Sequence, residues 1–276
     1  MVAIELEDEF GDIIGKARMG LRRSLEETAK DAGLPTDLLR DFENYERSPN
    51  RDETGKVASA LQLDGERLWA IASGKWAPAE EPEDADPDAR VIRLMNYVGG
   101  WPVFSFLLVC KKTNACAIVD TAAHPEQIIE TAESEELNPS LILLTHGHAD
   151  HVEGVDALQK RFKVPVVMGE DMKTPRHLGE TAHLAEGETV QVGELTVKMM
   201  KTPGHSEGCV TFLCGSLAII GDVIFSGSIG KPNRSYEQSR ASAAKLLALP
   251  DNTRLYPGHG PSTTVGEEKA HNPFFA

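Results

Sequence analysis

Seven side chains able to bind a metal fall in four short segments of this 276-residue chain. His146, His148, Asp150 and His151 lie within Thr145–His151, and His205 closes Thr202-Pro203-Gly204-His205. Asp222 follows Gly221, and His259 sits in Pro257-Gly258-His259-Gly260. Four ligands within six residues are too many for one ion, because adjacent side chains such as Asp150 and His151 diverge from the backbone. Two ions resolve the crowding. Imidazole suits zinc, iron or nickel and carboxylate extends the choice to manganese, so the set does not name the metal; zinc is expected first, with iron and manganese as alternatives. A closed structural zinc needs four ligands and usually recruits cysteine. Seven candidates without a cysteine indicate an open, catalytic site. Two divalent ions about 3.5–4 Å apart can lower the pKa of a water and stabilise the oxyanion formed when hydroxide attacks a carbonyl. Esters, thioesters and lactams are then accessible. Asp150 is the catalytic candidate, since a ligating carboxylate keeps a second oxygen to orient the hydroxide or accept its proton.

These segments resemble the metallo-β-lactamase superfamily, whose His-x-His-x-Asp-His motif is followed by a distant His, an Asp and a final His in this order. The resemblance spans roughly residues 91 to 276. It implies an αββα sandwich, with His146, His148 and His205 on a first metal, Asp150, His151 and His259 on a second, and Asp222 bridging them. The run Gly221–Gly230, the tail Leu255–Lys269 and the closing Asn272-Pro273-Phe274 are similar to glyoxalase II-type hydrolases of the short bacterial branch. That likeness implies a small-molecule thioester substrate such as a 2-hydroxyacyl-glutathione. A thiolate leaves without prior protonation, so no separate general acid is required.

The chain also departs from that pattern. The C-terminal helical domain with which longer glyoxalase II enzymes contact glutathione is not expected in a sequence running to Ala276. Short-branch relatives read Gly-Arg-Thr-Asp where this chain has Gly230-Lys231-Pro232-Asn233. Lys231 nevertheless matches a glutathione-contacting lysine of the longer enzymes and Arg234 lies nearby, so both are expected to anchor substrate. The missing Arg and Asp mark persulfide dioxygenases; that activity and a lactonase remain alternatives. Class B β-lactamases stand further off, because the commoner ones have a cysteine ligand at the place of Asp222.

Residues 1–76 form a different unit. Ile13, Ile14, Ala17 and Leu21 recur at helical spacing, Ser24 with Glu27 makes a capping box for a second helix, and Gly33 ends it. Pro35 or Thr36 opens a third helix with Leu38, Leu39, Phe42 and Tyr45 inward, and further segments follow at Val57–Leu61 and Leu68–Ile71. The pattern resembles a five-helix Cro/phage-repressor helix-turn-helix domain. Residues 1–80 carry 11 Lys or Arg against 17 Asp or Glu, a net of −6 that repels phosphate. DNA binding is therefore disfavoured even if Arg18, Arg22, Arg23 and Arg40 share a face, and no DNA-binding residue is assigned. Protein contact, self-association or a lid over the active site is the preferred role. The competing functional class is a DNA-binding regulator whose metal domain senses a metabolite.

Residues 77–90, rich in proline and acid, read as a semi-extended linker. Residues 91–276 form the catalytic unit. Val103–Cys110 and Ala115–Val119 flank Lys112-Thr113-Asn114 as a hairpin would, and a helix over Glu126–Ser134 precedes the strand Leu141–Leu144 that delivers the histidine cluster. Val164–Met168, Leu195–Met200 and Leu217–Ile220 are further strands, the last two leading to His205 and Asp222. The expected class is thus α/β (α+β), a sandwich preceded by a small all-α domain. Asp120 either orients a ligating histidine from behind or simply turns the chain at a strand end. His124, His177, His183 and His271 are expected at the surface or in packing. Cys110, Cys116, Cys209 and Cys214 lie in apolar settings and read as reduced core residues. No run approaches a membrane span, and Glu5-Leu6-Glu7-Asp8-Glu9 is no signal n-region, so the cytoplasm is expected. The formal charge of −15 opposes anionic substrates at long range, an effect that salt screens and two metal ions offset locally.

Overall fold

The computed structural model describes residues 5–82 and 85–275; the ends of the expected helical and catalytic units and Glu83-Asp84 of the linker lie outside them. Five short helices come first: α1 (Phe10–Gly20), α2 (Leu25–Ala32), α3 (Thr36–Glu43), α4 (Arg51–Leu61) and α5 (Gly65–Ala72). Local signals set their ends. Ser24 and Glu27 form the expected capping box, Gly33 closes α2 in the left-handed region, and Asn50 with Glu53 caps α4 in the same manner. Ile13, Ile14, Ala17, Leu39, Phe42, Val57, Leu61 and Leu68 form the core. Tyr45 departs from its expected inward position. It lies beyond the end of α3 at φ 60°, is mostly exposed, and its hydroxyl donates to Asp12.

The linker residues described take no regular structure up to Asp88, whereas Ala89 and Arg90, expected in the linker, already pair as the start of a strand; the segment is bonded to the catalytic unit. Tyr256 Oη donates to Glu81 at 2.5 Å, and Asp86 accepts from the backbone N–H groups of Asp88, Ala89 and Ser216.

From Ala89 the chain builds two six-stranded sheets. The first, in spatial order, holds β1 (Ala89–Val98), β2 (Trp101–Cys110), β3 (Ala115–Val119), β4 (Asn138–Leu143), β5 (Val166–Gly169) and β6 (Thr181–Leu184). Gly99 and Gly100, both at positive φ, make the two-residue turn between β1 and β2. Helices α6 (Pro125–Ser134), α7 (Ala149–Val152) and α8 (Val155–Phe162) follow β3 and β4. The second sheet is formed by β7 (Thr189–Val192), β8 (Leu195–Lys201), β9 (Val210–Cys214), β10 (Leu217–Gly221), β13 (Arg254–Pro257) and β14 (Thr263–Thr264), in the order β14-β13-β10-β9-β8-β7. A separate small hairpin of β11 (Ile224–Phe225) and β12 (Ser228–Ile229) follows the central strand β10, and α9 (Tyr236–Leu247) and α10 (Val265–His271) complete the helices.

Alternating side chains divide the core into layers. Phe104, Phe106, Leu108, Val119, Leu143, Met199, Phe212, Ile219 and Tyr256 fill the space between the sheets. Leu107, Ile118, Ile142 and Val166 face Ile128 of α6 and Leu158 of α8, whereas Ala218, Ile220 and Leu255 face Ala243 and Leu246 of α9. The arrangement is the expected αββα sandwich. Cys110 belongs to the inter-sheet layer and Cys116 to the helix-facing one, so they point apart, and all four cysteines are free and buried.

Candidate metal centre

Strand direction gathers the site. β3 and β4 run parallel, as do β10 and β13, and β8 shares their direction because it pairs antiparallel with β9, itself antiparallel to β10. Their C-terminal ends open into the loops that carry Asp120, His146–His151, Asp222, His259 and His205. A rigid sheet edge holds such groups more narrowly than free loops would.

All seven candidate ligands converge. Nitrogen or oxygen atoms of His146, His148, His205 and Asp222 lie within 4.8 Å of one another, and so do those of Asp150, His151 and His259. Asp222 stands between the two groups. One carboxylate oxygen is 3.3 Å from His205 Nε2 and 3.6 Å from His259 Nε2, and the other is 3.4 Å from His151 Nε2. His205 Nε2 also meets His148 Nδ1 at 2.9 Å. Asp150 lies 3.5 Å from His259 and is the carboxylate with solvent access, its side chain one-third exposed.

The ring nitrogens turned away from the centre are held from behind. His151 Nδ1 is 2.8 Å from Asp120 Oδ2, His259 Nδ1 is 2.6 Å from the Pro102 carbonyl, and His205 Nδ1 is 2.8 Å from the Lys231 carbonyl. Donation from Nδ1 leaves each Nε2 lone pair aimed inward. Asp120 is fully buried at φ 54° and also accepts from Thr145 N and Oγ1, so it both turns the chain and orients His151. Gly258 brings the backbone close: a Cβ there would lie within 2.5 Å of His151 Cε1 and would overlap Asp222 Oδ1.

The electrostatics are those of charged groups in a largely buried centre. Burial alone would raise the Asp222 carboxyl, but the imidazoles of His151, His259, His146 and His205 hold it far below the usual carboxylate range. Burial and its neighbouring imidazoles drive His146 well down. Burial would also lower His259, but Asp222, Asp150 and Glu7 push it up to about 9. His151 Nε2 and Asp222 Oδ1 are buried without a hydrogen-bond partner. Two orphaned inward-facing acceptors are costly unless a cation lies between them. The donor set and its orphaned atoms therefore fit divalent metal ions.

Lys231 and Arg234 are exposed beside this centre. The Lys231 carbonyl holds His205, while the Arg234 N–H donates to the Gly204 carbonyl. His124, His177 and His183 are exposed away from the site, and His271 stacks on Trp76.

The sequence model of the metallo-beta-lactamase superfamily matches residues 98–259. The chain belongs to this superfamily. Among relatives of this metallo-beta-lactamase superfamily member, the hydroxyacylglutathione hydrolase GloC of Haemophilus influenzae is 33% identical over 57% of this chain and 86% of its own length. The crystal structure of TTHA1623 in a di-iron-bound form is similar at TM-score 0.58 and 30% identity, covering 66% of this chain and all of that one. The BLEG-1 B3 metallo-beta-lactamase is similar at TM-score 0.59 and 31% identity, covering 67% of this chain and all of that one.

The reading of ligand motifs missed what the helical region brings to this centre. Glu7 packs against Gly260, next to His259. The buried Lys16 lies 4.5 Å over the Phe225 ring, which meets His259 edge-on. The available signal was a lysine between Ile13, Ile14 and Ala17 on an otherwise apolar helix face.

Proposed function

We propose that the chain is a metal-dependent hydrolase of thioesters of the 2-hydroxyacyl-glutathione class. The observation that carries this reading is the convergence of the other six ligands around Asp222, with His151 Nε2 and Asp222 Oδ1 buried without hydrogen-bond partners. His146, His148 and His205 would hold one ion, Asp150, His151 and His259 the other, and Asp222 both; zinc is the first candidate, with iron or manganese as alternatives. A bound metal pair supplies a water of lowered pKa and a positive charge for the oxyanion.

The chain's own groups do the rest. Asp120, Pro102 and Lys231 fix three ligand rings through their second nitrogens. Asp150, the accessible carboxylate, orients the attacking water and takes its proton. Lys231 and Arg234 supply exposed positive charge on the His205 side, where the carboxylates of a glutathione carrier would find partners. The names of relatives such as GloC support a thioester.

The test is steady-state hydrolysis of S-D-lactoylglutathione by metal-loaded protein beside Asp150→Ala. A metal- and Asp150-dependent kcat/KM above about 10⁴ M⁻¹s⁻¹ is expected. Activity equal to the variant would reject this substrate. The BLEG-1 likeness makes a chromogenic cephalosporin the parallel substrate. The expected ratio favours the thioester, since thiolate departs without the proton that a lactam nitrogen needs.

The helix-turn-helix-like region is proposed to serve as a packing partner of the catalytic unit rather than a reader of DNA. Arg18 is paired with Glu43, Arg23 with Asp31 and Arg40 with Asp37, so these arginines have little charge to offer phosphate.

A further inference from the structure

The small hairpin of β11 and β12 begins just after Asp222, and Lys231, whose carbonyl holds His205, follows soon after it. Its position is set from the helical region. The Ile229 side chain is buried in the helical core, and the Ile229 carbonyl accepts from Lys16 Nζ at 2.8 Å. At the tip, Gly227 lies so close to Trp76 and Ile71 that a Cβ would stand 2.6 Å and 2.8 Å from their side chains. Lys16 is itself buried and paired with Asp8. Its ammonium lies over the Phe225 ring, which meets the His259 imidazole at 5.6 Å and 71°. A desolvated cation over an aromatic face is a directional contact that resists displacement of the ring.

We propose that Lys16 is a positioning residue for His259. By pinning the hairpin main chain and the Phe225 ring together, α1 fixes the imidazole that closes the Asp150–His151–His259 set. The inference depends on the reading of that set as a metal site. It predicts that the helical region raises affinity for one ion of the pair and leaves the other nearly unchanged.

The experiment uses the full-length protein and a chelator-competition titration with zinc. His259→Ala first identifies the binding step that belongs to this ion. The Asp8→Asn/Lys16→Met double variant removes the buried pair as a unit, because deleting one partner strands a buried charge and risks the fold. We expect this variant to melt cooperatively and to bind the His259-dependent zinc at least ~10-fold more weakly, the usual scale for groups that orient a ligand. The other zinc should change by less than ~3-fold, about 0.65 kcal/mol. Phe225→Leu should weaken the same step by a similar factor. Combined with the double variant it should add little, since both remove one chain of contacts.

An unchanged His259-dependent step in both variants overturns the positioning role. So does parallel weakening of both ions, which would indicate only loosened packing. A wild-type protein with no His259-dependent zinc step would instead overturn the reading of the metal site itself.

Discussion

His151 turns one nitrogen to Asp120 and the other to the centre, so the strength of the inner contact depends on a carboxylate that never reaches it. Asp120→Asn keeps the size and an acceptor for Thr145 but removes the charge that favours donation from Nδ1. Metal affinity should fall about 10–100-fold with the fold retained, as read by chelator competition beside a melting curve. Gly258→Ala makes a different demand. Its Cβ would strike His151 and Asp222 together, and neither can retreat from a fully packed pocket. Metal analysis after gel filtration should find the variant short of one ion or more. At this scale the site was legible because its ligands are chemically distinctive and closely spaced in the motifs. Asp120 was legible only as one of two roles, because its distance from His151 is a property of the β3–β4 pairing. The Pro102 and Lys231 carbonyls carry no residue-type signal at all.

Elements with local signals were legible and those defined by distant partners were not. Ser24, Glu27 and Gly33 bound α2 within ten residues, and the turn at Lys112-Thr113-Asn114 announces the β2–β3 hairpin. β1 escaped notice because Arg93 and the buried Asn96 break its apolar alternation, and β6 and β7 because they show little apolar surface. The β1–β2 hairpin leaves Met95, Tyr97 and Trp101 exposed, with Trp101 next to the Pro102 that holds His259. If Trp101 covers bound substrate, Trp101→Ala should raise KM for a thioester several-fold with little change in kcat, because a contact of that kind binds ground and transition states alike; unchanged KM would leave the ring outside the substrate site. In α10, Glu268 is buried, and burial pushes it up to about 7 although Thr263, Asn272 and Gly227 all donate to it. A carboxyl with a raised folded pKa holds its proton where the unfolded chain has lost it. Its contribution is constant below about pH 4.5, falls through pH 7 and is flat above, a loss on the order of 3 kcal/mol. Urea midpoints from pH 4 to 8 should decline over that window, and Glu268→Gln should flatten the decline.

At the scale of the whole molecule, composition suggested two modules on an acidic tether, yet the chain is joined along its length. Asp64 N–H donates to the Pro273 carbonyl, Arg67 donates to the carbonyls of Asn272 and Phe275, and Ile229 and Phe274 complete the helical core. Partners about 200 residues apart leave no trace in local periodicity, so this docking could not be read from sequence. No helix among the described residues is long and apolar enough to cross a membrane. Because Arg18, Arg23 and Arg40 are engaged with carboxylates, fluorescence anisotropy should detect no duplex-DNA binding at 150 mM salt; salt-sensitive binding there would restore the regulator reading. The shared core makes a sharper prediction. If the helical region and the sandwich fold as one unit, calorimetry should record a single transition whose calorimetric and van't Hoff enthalpies agree. Phe274→Ala removes a buried ring belonging to one part from the core of the other, at a cost of about 3–5 kcal/mol, and should lower that single midpoint by roughly 5–10 °C. Were the parts independent, the same substitution would split the trace, moving one component and leaving the other where it stood.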